Sequence, residues 1–154
     1  LQFAQRLFDR TRRYTDAKEC LQPPRGYRPM SLLRRLASLY RRADPAFHAL
    51  NGFLDGCEAD LRGVLERQEV ADRDLVMRVA AAKVRCVDTA IELCFRLRQE
   101  VGSYALAADS GFGDTDFLQC CRFAEGDSRV LSLKMERDTG LDADAVMDQL
   151  MARL

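Results

Sequence analysis

The longest uninterrupted apolar pattern lies between Asp74 and Val101, and it constrains the fold more than any other feature of the sequence. Apolar residues recur there in steps of three and four: Leu75, Val79, Ala82, Cys86, Ala90, Leu93, Leu97 and Val101. This spacing places them along one side of an α-helix, as in the seam of a helical bundle. Asp72 or Asp74 is a suitable N-cap. The sequence therefore predicts a helix of about 28 residues that packs against other helices.

Weaker patterns of the same period predict further helices on both sides of this one. They cover residues 1 to about 20, a stretch from Ser31 that restarts or continues at Asp44-Pro45 and ends near 68, a short segment at 116–123, and two final segments that follow Asp127 or Ser128 and Asp142. Prolines and a glycine between 23 and 29 end the first helix. No stretch alternates with the period of a strand. The prediction is an all-α, antiparallel helical bundle that forms one domain over residues 1–154.

The chain starts with helical spacing at Leu1, and no Ser, Thr, Asp or Asn precedes it as a cap. This pattern is typical of a chain that begins inside a helix. A processed product, a proteolytic fragment and the ordered part of a longer protein or larger assembly would each begin in this way.

The charge composition argues against partners that are attracted by a large net charge on the protein. Lysine and arginine together number 24, and aspartate and glutamate also number 24. A chain without net charge has no general attraction for nucleic acid or for an anionic membrane. The basic pairs at 12–13, 34–35 and 41–42 are interpreted as solvated helix faces. We also expect no membrane span, because no apolar run approaches the roughly 18 residues that a span needs.

The six cysteines are predicted to be structural. No two of them form a C-x-x-C pair, and the sequence contains a single histidine, His48. A zinc site needs clustered cysteine and histidine ligands. Most of the cysteines instead lie within apolar helical patterns, where free cysteine acts as a small hydrophobic residue. We therefore expect no metal site.

The order of motifs from Gln99 onward resembles the C-terminal domain of the acyl-CoA dehydrogenase and acyl-CoA oxidase flavoproteins. In that family a long helix ends in a motif like Gln-x-x-Gly-Gly, and here Gln99-Glu100-Val101-Gly102-Ser103 ends the longest helix. About twenty residues later the family has an aromatic-Glu-Gly-Thr or aromatic-Glu-Gly-Asp turn that starts another helix. The segment Ala124-Glu125-Gly126-Asp127-Ser128 matches it, with the Glu-Gly-Asp form that is usual among the oxidases.

The resemblance implies a role for specific residues. Glu125 would be the base that removes the α-proton of an acyl-CoA thioester while hydride leaves the β-carbon for the flavin. Gly126, Asp127 and Ser128 would lie near the flavin, because a glycine turn and a helix N-terminus suit close approach and phosphate binding. Gln99 and Gly102 would face the FAD of a neighbouring subunit. A helix C-cap at Gln99 and Gly102, and a plain helix junction at Glu125, are the structural alternatives.

Several positions depart from the family pattern. Ala124 replaces the aromatic residue before the glutamate, and Ser103 replaces the second glycine after Gln99. Lys18 occupies the position of an arginine that helps to hold the flavin phosphates, and lysine cannot make the same bidentate contact. The expected Phe-Gly of the first half is Leu21-Gln22. Each change weakens the predicted cofactor site rather than the fold.

The family's N-terminal helical domain and middle β domain are not present in these 154 residues. The resemblance therefore implies one of two functions. The chain is the C-terminal module of a flavin-dependent dehydrogenase or oxidase, with the other domains supplied elsewhere, or it is a non-catalytic structural subunit of a larger complex. An unrelated helical adaptor is a third interpretation. Family members assemble as dimers and tetramers, so an oligomer or complex is expected.

The family resemblance favours an organelle matrix, either mitochondrial or peroxisomal. The final residues Ala152-Arg153-Leu154 are similar to a peroxisomal Ser-Lys-Leu address, which has meaning only at a true C-terminus. They also extend an amphipathic helix. A bacterial cytoplasm is a further alternative.

Overall fold

The structure is a computed structural model that describes residues 1–124 and 126–152. The described residues form six α-helices: α1 (Gln2–Ala17), α2 (Arg34–Glu66), α3 (Arg73–Val101), α4 (Asp116–Phe123), α5 (Ser128–Thr139) and α6 (Ala143–Met151). Three 3-10 turns, at Gly102–Leu106, Ala108–Ser110 and Phe112–Thr115, join α3 to α4. The prediction of an all-helical class is confirmed at this level, and the likeness to one particular family stays a prediction.

Two short strands accompany the helices, although no strand pattern was found in the sequence. Residues Glu19–Leu21 (β1) and Tyr27–Pro29 (β2) pair antiparallel, with Cys20 opposite Arg28. Strands of three residues are too short to produce a recognisable alternation. The pairing is supported by the Gln22 side chain, whose Nε2 donates to the carbonyl oxygen of Pro29 at 2.9 Å.

Helix α2 continues through Pro45, so the sequence interruption at Asp44-Pro45 is not a helix boundary. Proline removes one backbone donor inside a helix, and the cost is borne where packing holds the helix on both sides. Ala43 and Phe47 are both buried next to the proline. Asp44 is also held from outside the helix, since its Oδ1 lies 2.7 Å from an Arg12 Nη2.

The helix ends in the second half of the sequence follow local signals. Asp127 caps α5 by accepting from the backbone N–H of Arg129, and Asp142 caps α6 in the same way through Asp144. Gly140 ends α5 in the left-handed conformation, with φ of 73°. The two aspartate caps were expected from the sequence. Asp at an N-cap and Gly after the last turn satisfy backbone groups that the helix leaves unpaired.

The chain divides into two compact units. The first contains residues 1–47 and 89–119, and its core is formed by α1, the start of α2, the end of α3 and the 3-10 turns. Its most buried large side chains include Phe8, Leu36, Leu39, Leu97 and Phe112. The second contains residues 48–88 and 120–154, and its core includes Phe53, Met77, Met135, Val146 and Leu150. The prediction of a single domain stays a prediction.

None of the described helices combines the length and the apolar character that crossing a bilayer requires.

Candidate functional site

The turn between α4 and α5 lies in the second unit and contains most of the residues that the sequence analysis selected. Glu125, the predicted base, lies outside the described residues. Gly126 follows it with φ of +105°, a backbone conformation that side-chain-bearing residues rarely adopt. A glycine is therefore required at this position by the path of the chain, whatever its role toward a ligand.

The side chains of Asp127 and Ser128 are engaged within the chain. Asp127 accepts from the Arg129 backbone N–H at 2.8 Å and pairs with the Arg129 guanidinium at 3.3 Å. These hydrogen bonds from Arg129 lower the pKa of the Asp127 carboxyl. Ser128 is 4% exposed, and its hydroxyl accepts a hydrogen bond from Lys83. Both side chains thus form bonds at the start of α5, where Ser128 is buried and Asp127 is partly exposed.

Lys83 of α3 was not among the residues selected from the sequence. Its Nζ donates to the carbonyl oxygens of Arg122 at 2.9 Å and Gly126 at 2.6 Å, and to Ser128 Oγ at 3.1 Å. Five residues further along α3, Asp88 holds the Arg122 side chain, with 3.0 Å between Asp88 Oδ1 and Arg122 Nε. Helix α3 therefore contacts the turn on both sides of position 125. These hydrogen bonds cannot be predicted from a sequence pattern, because the partners are 39 to 45 residues apart.

A shallow cavity of about 240 Å³ lies beside the same turn. It is lined by Arg122, Phe123, Asp127, Ser128 and Arg129. Phe123 is 65% exposed, so a large apolar ring and two guanidinium groups border this cavity. This combination suits a ligand with both an apolar and an anionic part.

Gln99 lies far from the turn in sequence, in the first unit, and lines a groove of about 630 Å³ between the start of α2 and the end of α3. The groove residues are Arg34, Arg35, Ser38, Leu39 and Arg42 on α2, and Glu92, Phe95, Arg96, Gln99 and Glu100 on α3. Three arginines of α2 thus face Glu92, Arg96 and Glu100 of α3, and Arg96 Nη2 pairs with Glu92 Oε1 on its own helix at 2.7 Å. Phe95 is 60% exposed, which leaves an aromatic ring at the groove.

The groove contains the basic pair at 34–35 and one residue, Arg42, of the pair at 41–42, both of which were interpreted as solvated faces. Arg34, Arg35 and Arg42 are indeed exposed. The spacing of seven between Arg35 and Arg42 brings them to the same side of α2. The spacing of Arg35 and Arg42 could have indicated the α2 side of the groove. The other side is formed by the face of α3 that carries Arg96 and Gln99, and the sequence of α2 does not reveal that this face lies opposite.

The two remaining predicted residues lie at helix ends. Gly102 follows the last residue of α3 with φ of +58°, in the left-handed region, and an added Cβ would meet nothing within 4 Å. It therefore ends the helix as a C-cap glycine does, which is the structural alternative considered for it. Lys18 is exposed at the end of α1 and is not among the residues that line the groove of Gln99. Lys18 and Gln99 are therefore not brought together there.

The groove around Gln99 has side chains suited to a dinucleotide, whereas the α4–α5 turn has few side-chain groups left for one. The groove with Gln99 offers the guanidinium groups of α2 for phosphate and an exposed ring for stacking, beside the carboxylates of Glu92 and Glu100. At the turn, the Asp127 and Ser128 side chains are already used by Arg129 and Lys83, so only backbone groups and Gly126 remain for a flavin.

All six cysteines are free, and Cys57, Cys86 and Cys94 are buried. Within residues 1–124 and 126–152, no cluster of three or more His, Cys, Asp or Glu side chains could hold a metal ion.

Comparisons with known proteins give no relative: no protein-family model, no curated protein and no solved structure matches this chain.

Proposed function

We propose that this chain is the C-terminal helical module of a flavin-dependent acyl-CoA dehydrogenase or oxidase, with Glu125 as the base. The observation that carries the proposal is the arginine groove around Gln99, the residue for which the family resemblance implies a contact with the FAD of a neighbouring subunit. An anionic dinucleotide is the class of ligand that the three arginines of α2 and one exposed aromatic ring would hold best.

The residues of the chain would have two separate roles, cofactor binding in the groove around Gln99 and proton removal by Glu125. Arg34, Arg35 and Arg42 of α2 would neutralise the diphosphate, and Gln99 would supply an amide to the same ligand. The Glu125 carboxylate would take the α-proton as the α-carbon–hydrogen bond breaks, leaving that electron pair to form the α–β double bond. FAD, when bound, supplies the acceptor for the hydride that leaves the β-carbon.

The lining of the cavity beside the α4–α5 turn also supports an acyl-CoA thioester as the substrate. An acyl-CoA thioester joins an apolar chain to an anionic nucleotide, and the cavity offers Phe123 together with Arg122 and Arg129. The acyl and pantetheine parts would be enclosed by the family's other domains, which other polypeptide segments would supply.

A non-catalytic structural subunit is the second candidate, and a specific observation favours it. The side chains of Asp127 and Ser128, two of the expected flavin contacts, are bonded inside the chain. A module that kept the fold and lost the cofactor would keep such bonds, because they stabilise the start of α5.

The deciding experiment purifies the protein natively, together with any subunits bound to it, as one particle. It records the visible spectrum of this particle and measures the intact mass of this chain. The enzyme hypothesis expects the blue absorbance of flavin and its anaerobic bleaching by saturated acyl-CoA thioesters from butyryl- to palmitoyl-CoA. Glu125→Gln should abolish the bleaching and keep the absorbance. The matched control is Glu58→Gln, which changes an exposed glutamate of α2 and should leave both unchanged.

A second pair of variants tests the groove separately. Arg42→Met removes a groove arginine, whereas Arg41→Met removes its exposed neighbour, which does not line the groove. The proposal expects weaker flavin retention in Arg42→Met alone. Flavin-free wild-type particles in which this chain is stably bound to other subunits would reject the enzyme hypothesis and support the structural subunit. Equal flavin retention in the two arginine variants would reject the groove as the FAD site.

A further inference from the structure

We propose that Lys83 is a positioning residue for the proposed reaction: its ammonium group fixes the α4–α5 turn on helix α3, and the rate of α-proton removal depends on that contact. The inference rests on the proposed function for the role of Glu125, whereas the contact between Lys83 and the turn stands on the structure.

The ammonium group of Lys83 uses its full donor capacity on the turn. A lysine has three N–H donors, and three acceptors lie within 2.6 to 3.1 Å of Nζ: the carbonyl oxygens of Arg122 and Gly126 and the hydroxyl of Ser128. Hydrogen bonds that involve a charged group are about twice as strong as neutral ones. A flexible side chain with three such bonds is held in one orientation.

The three acceptors belong to three different parts of the turn. Arg122 lies in the last turn of α4, where helix carbonyl oxygens lack partners within the helix and a cation is favoured. Gly126 lies in the connection itself, and Ser128 is the first residue of α5. One lysine therefore joins the end of one helix, the connection and the start of the next helix, on both sides of position 125.

The Lys83 side chain is anchored on a rigid element. Its sequence neighbours Ala82 and Val84 are 4% and 2% exposed, within the core of the second unit. The Asp88–Arg122 ion pair fixes a second point between α3 and α4. Catalysis depends on such support, since a displacement of about 1 Å at a reacting group is enough to lower a rate by roughly 100-fold.

The test compares Lys83→Met with Lys83→Arg and with Lys134→Met in the flavin-containing particle. Methionine keeps the apolar stem and removes the donors, whereas arginine keeps both charge and donors. Lys134 is an exposed lysine of α5 that serves as the control for loss of one charge. Two quantities are measured: amide hydrogen exchange of the peptide over residues 120–131, and the rate of flavin reduction by the acyl-CoA series, with its substrate dependence.

We expect Lys83→Met to increase exchange in this peptide and to slow flavin reduction by roughly 10- to 100-fold, with little change in the acyl-CoA concentration for half-maximal rate. Lys83→Arg should recover most of the rate, and Lys134→Met should match the wild type in both measurements. If Lys83→Met does not fold, Lys83→Gln, which is neutral but retains donors, replaces it.

Each contrary result rejects a different part of the inference. Unchanged exchange in Lys83→Met would overturn the contact between Lys83 and the turn. Increased exchange with an unchanged reduction rate would overturn the positioning role while leaving the proposed function intact. Absence of flavin from the wild-type particle would reject the proposed function and the positioning role together, and the exchange measurement would still decide whether Lys83 holds the turn.

Discussion

The rings of Tyr14 and Tyr104 stack face to face, with 3.8 Å between their centroids and 7° between their planes. Tyr14 lies in the last turn of α1, and Tyr104 lies in the 3-10 turn that follows α3. Tyr104 also meets Phe112 edge-on, at 6.4 Å. Within the first unit, this stack joins the end of α1 to the chain reversal at Gly102, which is one of the predicted cofactor positions.

We predict a measurable coupling between the two tyrosines. In a double-mutant cycle with Tyr14→Leu and Tyr104→Leu, the two changes should be less than additive by about 0.5–1.5 kcal/mol of unfolding free energy, the usual size for an aromatic pair. Chemical denaturation of the four proteins measures this quantity. Strict additivity would mean that the stack contributes nothing beyond the burial of each ring.

Gly102 and Gly52 should respond to alanine with opposite signs. Gly102→Ala places a side chain at φ of +58°, and the left-handed region costs an L-residue about 1–2 kcal/mol. Gly52→Ala lies inside α2, where an added Cβ meets nothing within 4 Å, and should raise the unfolding free energy by about 0.5–1 kcal/mol. Thermal and urea unfolding check both values. A stabilising Gly102→Ala would show that this chain reversal is not fixed as described.

The Asp127 carboxylate should make a pH-dependent contribution to stability. Hydrogen bonds from Arg129 lower the pKa of Asp127 below its ordinary value of 3.8, so the folded state favours the charged form. The contribution is therefore fully present above pH 3.8 and is lost as the pH falls through the lower, folded-state pKa.

The variant Asp127→Asn isolates this effect, because asparagine is also a good N-cap and keeps the capping hydrogen bond. We expect it to be less stable than the wild type above pH 3.8 and to approach the wild type below that pH. Unfolding curves across the acid range measure the difference. A difference that stays constant with pH would contradict the interaction with the Arg129 cation.

The cysteines should separate into reactive and protected groups in the native protein. Burial raises the pKa of the Cys86 thiol to about 11 and that of Cys94 to about 12, so few thiolates form at moderately alkaline pH. Cys120 is exposed and should react first with iodoacetamide. Peptide mass mapping identifies the labelled positions. Fast native labelling of Cys94 would mean that the core of the first unit opens readily.

The same thiols predict a loss of stability in alkali. In the unfolded chain they ionise near their ordinary pKa of 9.0, whereas in the folded chain they stay protonated up to about pH 11 or 12. The unfolding free energy should therefore fall as the pH rises above 9.0. In Cys94→Ala this slope should be smaller. A slope that is independent of Cys94 would assign the effect to other groups.

The helices and their ends could be predicted because their causes are local. Residues three and four apart form the stripe of α3, and Asp127, Gly140 and Asp142 act on backbone groups of their own turns. The short β1–β2 pair was missed because three residues give too little pattern. The continuation of α2 through Pro45 could not be fixed either, since it depends on buried neighbours that hold the helix on both sides of the proline.

The sequence by itself determined the helical class and the positions of Gln99, Gly102 and Gly126 at helix ends and turns, because periodicity and glycine conformation are properties of neighbouring residues. Only the tertiary structure decided that Arg35 and Arg96 share a groove with Gln99, and that Lys83 holds the turn around position 125. The physical reason is distance along the chain: hydrogen bonds between residues about 40 apart exist only after two helices have packed, and no spacing in the sequence encodes them.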